Sequence, residues 1–213
     1  MVRKITEHIP NEILQQDLEK YRQRAIEIVA QDAKIIPTDM ILIDERVRAK
    51  CINPKCHVYG TCANCPPYGL DIDFIRKLVN NYHYAIFTMF SIPPEEITGK
   101  TDADTKERIR SQIKNHEMIS KLEAEAFYDG YHLAVGFAGG SCKELFCSTQ
   151  ECTALIRGQG CRHRLRARPS MEGVGMNAMT MAASVGWDVY PVGKATTASE
   201  VAHGVRLGIV LIY

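Results

Sequence analysis

No stretch of this chain is apolar for long. The longest such runs, MILI at residues 40–43 and GIVLIY at 208–213, fall far short of the roughly 20 residues that a bilayer-spanning helix needs. Charge of one sign is missing too: 26 Lys and Arg stand against 25 Asp and Glu, a net +1, so no bulk attraction to nucleic acid or to an anionic membrane is expected. The opening residues, MVRKITEHIPNEILQQ, hold no apolar core and no small-residue cleavage site. That reads as a chain without a secretory signal, with a cytoplasmic location expected. Familiar catalytic signatures do not occur. There is no HExxH, no Walker sequence and no Ser/His/Asp pattern, and GFAGG at 136–140 fits neither a dinucleotide nor a phosphate loop. Cysteine, at eight in 213 residues, is too sparse for a disulfide scaffold, and a reducing compartment argues against disulfides in any case.

The rest of the composition suits an ordinary folded chain. Hydrophobic residues make up 46% and charged residues 24%, enough for a sizeable core, and the length fits a single domain over 1–213. Leu14, Leu18, Tyr21, Ala25 and Ile28 recur at helical spacing after a candidate N-cap at Asn11. Residues 39–45, 83–92, 131–138, 188–193 and 206–213 read as strands, with helices over 71–82 and 170–187, the latter capped by Ser170. Residues 93–104 read as an exposed polar loop. A second long helix is expected over about 105–129, with Ile109, Ile113, Ile119, Leu122 and Ala126 on one stripe. His116 falls on that stripe and reads as a buried, hydrogen-bonded histidine rather than a catalytic base, because nothing near it in sequence supplies a partner. Met171, Met176, Met179 and Met181 read as gap-filling packing rather than soft ligands.

The cysteines fall into two groups. Cys51, Cys56, Cys62 and Cys65 lie within fifteen positions as C-x4-C-x5-C-x2-C, and Cys142, Cys147, Cys152 and Cys161 lie within twenty as C-x4-C-x4-C-x8-C. Cys51 to Cys142 and Cys56 to Cys147 are both 91 positions, Cys62 to Cys152 is 90 and Cys65 to Cys161 is 96. Each group lies between an expected strand and an expected helix that leads to another strand. The fold expectation is therefore α/β or α+β, a central sheet flanked by helices. Within it, an internal duplication is expected as pseudo-repeats 39–92 and 131–192, joined by the helix at about 105–129.

Structural zinc usually takes two short cysteine pairs separated by roughly a dozen residues or more, and in the first group only five residues separate the pairs. A four-iron cluster has four corners, and one compact loop with short, uneven gaps can reach each of them. Pro66 directly after Cys65 repeats a ferredoxin detail and turns the chain away. The pair Cys62-x2-Cys65 alone suggests a redox dithiol, but two further thiols beside it argue against that. His57 and His163 lie close to cysteines and are not needed as ligands, given four thiols in each group. Tyr59 and Tyr68 suit either water exclusion or plain packing.

Two segments carry a resemblance. DERVRAKCINPKCHVYGTCANCPPYG at 44–69 and CRHRLRARPSMEGVGMNAM at 161–179 resemble the prokaryotic family of predicted metal-binding proteins, domain of unknown function 2284, over about residue 35 to the end. The resemblance implies a metal-binding, iron–sulfur, cytosolic protein of largely anaerobic prokaryotes, and implies no particular reaction.

Basic residues flank both groups: Arg46, Arg48 and Lys50 before the first, and Arg157, Arg162, Arg164, Arg166 and Arg168 around Cys161. They read as a solvated face, as compensation for an anionic cluster, or as a docking patch for an acidic redox partner. No aromatics interleave with them, so a single-strand stacking platform is poorly supported. The reading that follows is an iron–sulfur protein with two 4Fe-4S clusters, ligated by Cys51, Cys56, Cys62 and Cys65 and by Cys142, Cys147, Cys152 and Cys161. It serves electron transfer or acts as a reductase component. Spacing leaves open whether ligands cross between the groups. One rival is an enzyme with an open-site cluster for reductive or sulfur-transfer chemistry, in which Cys152 or Cys161 is not a ligand. The other is a zinc-stabilised interaction module.

Overall fold

The computed structural model describes residues 2–98, 102–192 and 196–213, with the side chains of 102–104 left aside. In chain order the main elements are α1 (Asn11–Ile28), β1 (Asp32–Pro37), α2 (Glu45–Ile52), α3 (Ile72–Val79), β2 (Tyr84–Ile92), α4 (Glu95–Thr98), α5 (Asp102–Tyr128), β3 (Val135–Phe137), α6 (Cys142–Phe146), α7 (Ala178–Ser184) and β4 (Gly204–Leu211). The strands form one sheet in the order β1-β2-β4-β3. All three pairings are antiparallel, with Ile35 opposite Ile86, Ile86 opposite Val210, and Gly136 opposite Val210. The class is therefore α+β.

Both faces of the sheet are covered, which is why β2 and β4 read as continuous apolar runs instead of alternating ones. Ile86 and Val210 face a layer made by Leu14, Leu18, Tyr21 and Ala25 of α1 and by Met118, Ile119, Leu122 and Ala126 of α5. Phe87, Ile209 and Leu211 point the other way. They pack on Ile75 and Val79 of α3 and on Met171, Met176, Met181 and Trp187. Gly208 lets α5 lie close on β4: a Cβ there would stand 2.7 Å from Ile119 Cδ1 and 2.8 Å from Asn115 Oδ1. No helix among the described residues is long and apolar enough to cross a membrane.

Several expected elements differ. Residues 39–45 form no strand of the sheet. A 3-10 turn spans Thr38–Met40, Ile43 makes a single bridge to Met176, and Asp44 caps α2 by accepting from Arg46 N–H at 2.9 Å. A short branched apolar run looks the same whether it pairs in a sheet or packs on one, as Ile41 does in the core. The expected helix at 170–187 is broken. Ser170 accepts from Gly173 N–H at 2.9 Å to open a 3-10 turn, Gly175 adopts φ +87°, and Asn177 caps the shorter α7. Glycine at that spacing weakens a helix and permits the left-handed turn. The strand at 131–138 shrinks to β3. Residues 188–192 form no strand, and Gly193 lies outside the described residues. Within the expected loop, Glu95–Thr98 is helical and 99–101 lie outside the described residues. The segments 39–92 and 131–192 thus differ in element order, and the structure does not bear out a duplication.

Candidate metal centre

The first cysteine segment leaves the sheet layer through α2. Cys51 sits in the last turn of that helix, and Arg48 ties the loop's far end by donating to Leu70 O at 2.7 Å. Successive turns then bring the thiols inward: Cys56 N–H donates to Cys51 O at 3.0 Å, Cys65 N–H to Cys62 O at 3.2 Å, and Gly69 N–H to Cys65 O at 2.8 Å. Gly60 N–H donates to Pro66 O at 2.8 Å, so the proline after Cys65 closes the loop on itself. Cys62 and Cys65 are buried.

The second segment leaves β3, where Ala138 pairs with the strand-like stretch at Ser170, and reaches Ser141, the N-cap of α6. This helix has a cysteine at its start, Cys142, and another, Cys147, as its C-cap. Lys143 holds the following loop by donating from Nζ to Cys147 O at 2.6 Å and Gln150 O at 2.7 Å. Thr153 Oγ1 donates to Gly160 O at 2.8 Å, and so draws together the loop between Cys152 and Cys161.

The thiols meet differently from their grouping along the sequence. Cys142 joins the first loop: its thiol and that of Cys65 are the neighbours that act most strongly on Cys62. Ser141 Oγ lies 3.1 Å from Cys65 Sγ, and Asn64 Nδ2 donates to Cys142 Sγ at 3.5 Å. Cys51 acts on Cys65 through its charge and has Cys56 as its own neighbour. Cys147, Cys152 and Cys161 form a second focus of three. Five thiols therefore gather at one focus and three at the other, with α6 between them. His57 links the two sides by a 2.9 Å contact to Glu144 of α6, and the His163 ring lies 5.5 Å from that of Phe146.

The neighbouring Cys142 and Cys65 thiols push the Cys62 thiol down, against burial, and Cys62 together with burial pushes those two thiols up. Burial, with Cys56 and Glu172 nearby, pushes Cys51 up, and Arg48 opposes it. Burial likewise raises Cys147, while Arg162 draws it down. Arg48 and Arg162 are thus electrostatic neighbours of Cys51 and Cys147. The other arginines have separate tasks. Arg168 forks onto Glu123 at 2.9 and 2.7 Å, and Arg166 pairs with Glu117 at 2.6 Å over the Phe146 ring. Arg157 and Arg164 are exposed, without an ion pair among the described residues.

His116 is fully buried. Its Nδ1 accepts from Arg168 N–H at 3.2 Å, which leaves Nε2 to donate to Gly139 O at 3.2 Å. Met171, Met176 and Met181 fill the core and Met179 is exposed. Tyr59 lines a cavity beside the first focus, and Tyr68 is exposed.

The donor set suits a thiophilic metal or cluster: soft sulfur donors, hydroxyl and amide groups bonded to sulfur, and basic side chains to offset charge. Among the described residues, no three His, Cys, Asp or Glu donors are drawn closely enough around one point to hold a single ion. A family model described as predicted metal-binding protein, domain of unknown function 2284, matches residues 34–212. The chain belongs to this family. Its description supports metal binding and specifies neither the metal nor the number of sites. No curated protein and no solved structure matches the chain.

A cavity of about 850 Å³ is lined by Cys51, Cys56 and Cys65 together with Glu172, Gln112 and Arg206. Glu172 lines this cavity; the protein packed around its carboxyl pushes its pKa up, and Gly140 and Ser170 oppose that shift. Sequence reasoning missed Ser141, Asn64, Glu172 and Arg206. Two signals were present: Asn64 lies between two cysteines, and Arg206 is a lone charge in the apolar run GVRLGIVLIY.

Proposed function

We propose that this member of the family is a cytoplasmic iron–sulfur protein with two 4Fe-4S clusters, one at each thiol focus, which carries electrons or forms part of a reductase. The carrying observation is the position of α6. Cys142 is the first residue of α6 and Cys147 its C-cap, and five residues of α-helix rise only about 7–8 Å, so the two foci lie side by side. A bound cluster supplies one-electron chemistry at its irons and sulfurs. The chain's own residues do the rest. Cys62, Cys65 and Cys142, with Cys51 or Cys56, hold the first focus. Cys147, Cys152 and Cys161 hold the second. Ser141 and Asn64 hydrogen-bond to sulfur and stabilise its negative charge. Cys62 at 1% exposure and Cys65 at 7% keep water from their side. Arg157, Arg162 and Arg164 form the exposed basic face near the second focus, where an acidic redox partner docks.

The test is metal content. Anaerobically prepared protein is expected to hold iron and sulfide at about the level of two four-iron clusters per chain, with broad sulfur-to-iron absorption. Stoichiometric zinc in a colourless protein overturns the reading and favours a zinc-stabilised interaction module. Variants test the regrouping. Cys62→Ala and Cys142→Ala should each lose the same half of the iron, and combining them should lose no more. Cys142→Ala with Cys152→Ala should lose both halves; if that pair loses only one, the thiols group as they do along the sequence.

A second reading is favoured by the three-thiol focus and by the cavity beside the first: an enzyme in which one iron is open to substrate, for reductive or sulfur-transfer chemistry. It expects one of the eight Cys→Ala variants to keep its iron and lose activity.

A further inference from the structure

Arg206 is 9% exposed, although it is charged and lies on a strand of the core sheet. Its place follows from strand register. Leu207 and Ile209 face the methionine layer, so Arg206 points to the opposite side, toward α5. There Nε donates to Ser111 Oγ at 3.1 Å and Nη2 to Arg108 O at 3.5 Å. Among the described residues, no carboxylate stands within ion-pair distance, and Nη1 has no hydrogen-bond partner. Glu96 and Glu172 act on it only through longer-range attraction, and Arg108 repels it. Burial together with Arg108 pulls the guanidinium down to about 10. Burying a cation without a counter-ion is costly.

Arg206 and Gln112 both line the 850 Å³ cavity. A second cavity of about 290 Å³ shares Gln112, Met179, Val205 and Arg206 with it, so Arg206 stands where the two spaces meet. The lining is apolar over most of its area, with Val58, Met176, Met179, Val205 and Leu207 among its residues, and it also carries the charged side chains of Asp44, Arg46, Lys50, Glu144 and Glu172. Glu172 is an electrostatic neighbour of both Cys51 and Arg206.

We propose that this cavity binds a small organic carboxylate, whose carboxylate pairs with Arg206 and the Gln112 amide while its hydrocarbon body lies along Val58, Met179 and Val205 toward Cys51 and Cys56. The planar guanidinium fork matches a carboxylate. The apolar wall favours a hydrocarbon body over water, and the volume is that of an ordinary small-molecule site. A phosphate would set its second charge beside Glu172. This inference stands on the cavity and not on any metal, so it survives or fails apart from the iron content.

Equilibrium dialysis of anaerobically prepared, full-length protein with radiolabelled benzoate tests it. Saturable binding of one benzoate per chain is expected, with neither benzamide nor inorganic phosphate competing. Arg206→Gln should weaken binding by roughly 10- to 100-fold, the loss of one charge-assisted contact. Met179→Trp, at an exposed position on the wall shared by both cavities, should abolish binding by filling the space. No saturable benzoate binding, equal competition by benzamide, or unchanged affinity in Arg206→Gln overturns the proposal. If circular dichroism shows that Arg206→Gln does not fold, Met179→Trp decides: retained binding there overturns it equally.

Discussion

His116 has no exposed surface, and its two ring nitrogens bridge α5 to the segments at Gly139 and Arg168. Burial holds its pKa down to about 4 from an ordinary 6.5, and hydrogen bonds to Gly139 and Gly140 offset only part of that. The folded chain therefore keeps the ring neutral where the unfolded chain protonates it. Its contribution is complete above pH 6.5 and is lost as the pH falls from about 6.5 through about 4, by up to about 3 kcal/mol. Urea unfolding at pH 7 and pH 4.5 should show the native protein losing about 2–3 kcal/mol more than His116→Gln over that interval. A parallel loss in the two proteins would disprove this account. The helical stripe in the sequence already placed this ring inward, but its partners lie 23 and 52 residues away and were not legible there.

Among the elements, α5 and β4 approach each other closely in the core at Gly208. A methyl group at that position would sit 2.7 Å from Ile119 Cδ1 and Cγ1 and 2.8 Å from Asn115 Oδ1. Gly208→Ala should therefore destabilise the protein by about 1–3 kcal/mol. Ile119→Val removes one of the clashing atoms and should restore part of the loss, giving a coupling of at least about 0.5 kcal/mol in a double-mutant cycle measured by urea unfolding. Strict additivity would show that the sheet and helix move apart instead. The helices α1 and α5 and the strands β2 and β4 were legible because each repeats its apolar signal over many residues. The stretches 39–45 and 170–187 were not. The first is too short to distinguish pairing from packing, and the second contains glycines that permit a turn.

At the scale of the whole molecule, the layered core contrasts with a cysteine-bearing periphery held mainly by turns. Residues 51–70 and 147–168 contain little regular structure, and few buried apolar side chains anchor them. Metal ligation would supply the missing restraint. Removing metal with a chelator should speed amide exchange in 51–69 and 141–168 while α1, α5, β2 and β4 stay protected, as read by hydrogen–deuterium exchange mass spectrometry. Exchange that rises equally in the core would show instead that metal supports the whole fold.

By itself the sequence determined that this chain has a mixed helix and sheet core, which periodic segments build it, and that eight clustered thiols suit a thiophilic metal. These are local matters: apolar repeats, spacing and the donor chemistry of cysteine carry them. Only the tertiary structure decided which thiols meet, that Cys142 belongs with Cys62 and Cys65 while Cys147 turns the other way, and that a buried Arg206 shares a cavity with them. A thiol reaches only the length of its own short side chain. Its partner is therefore chosen by how α6 packs against a loop some 80 residues earlier, and no local spacing encodes that.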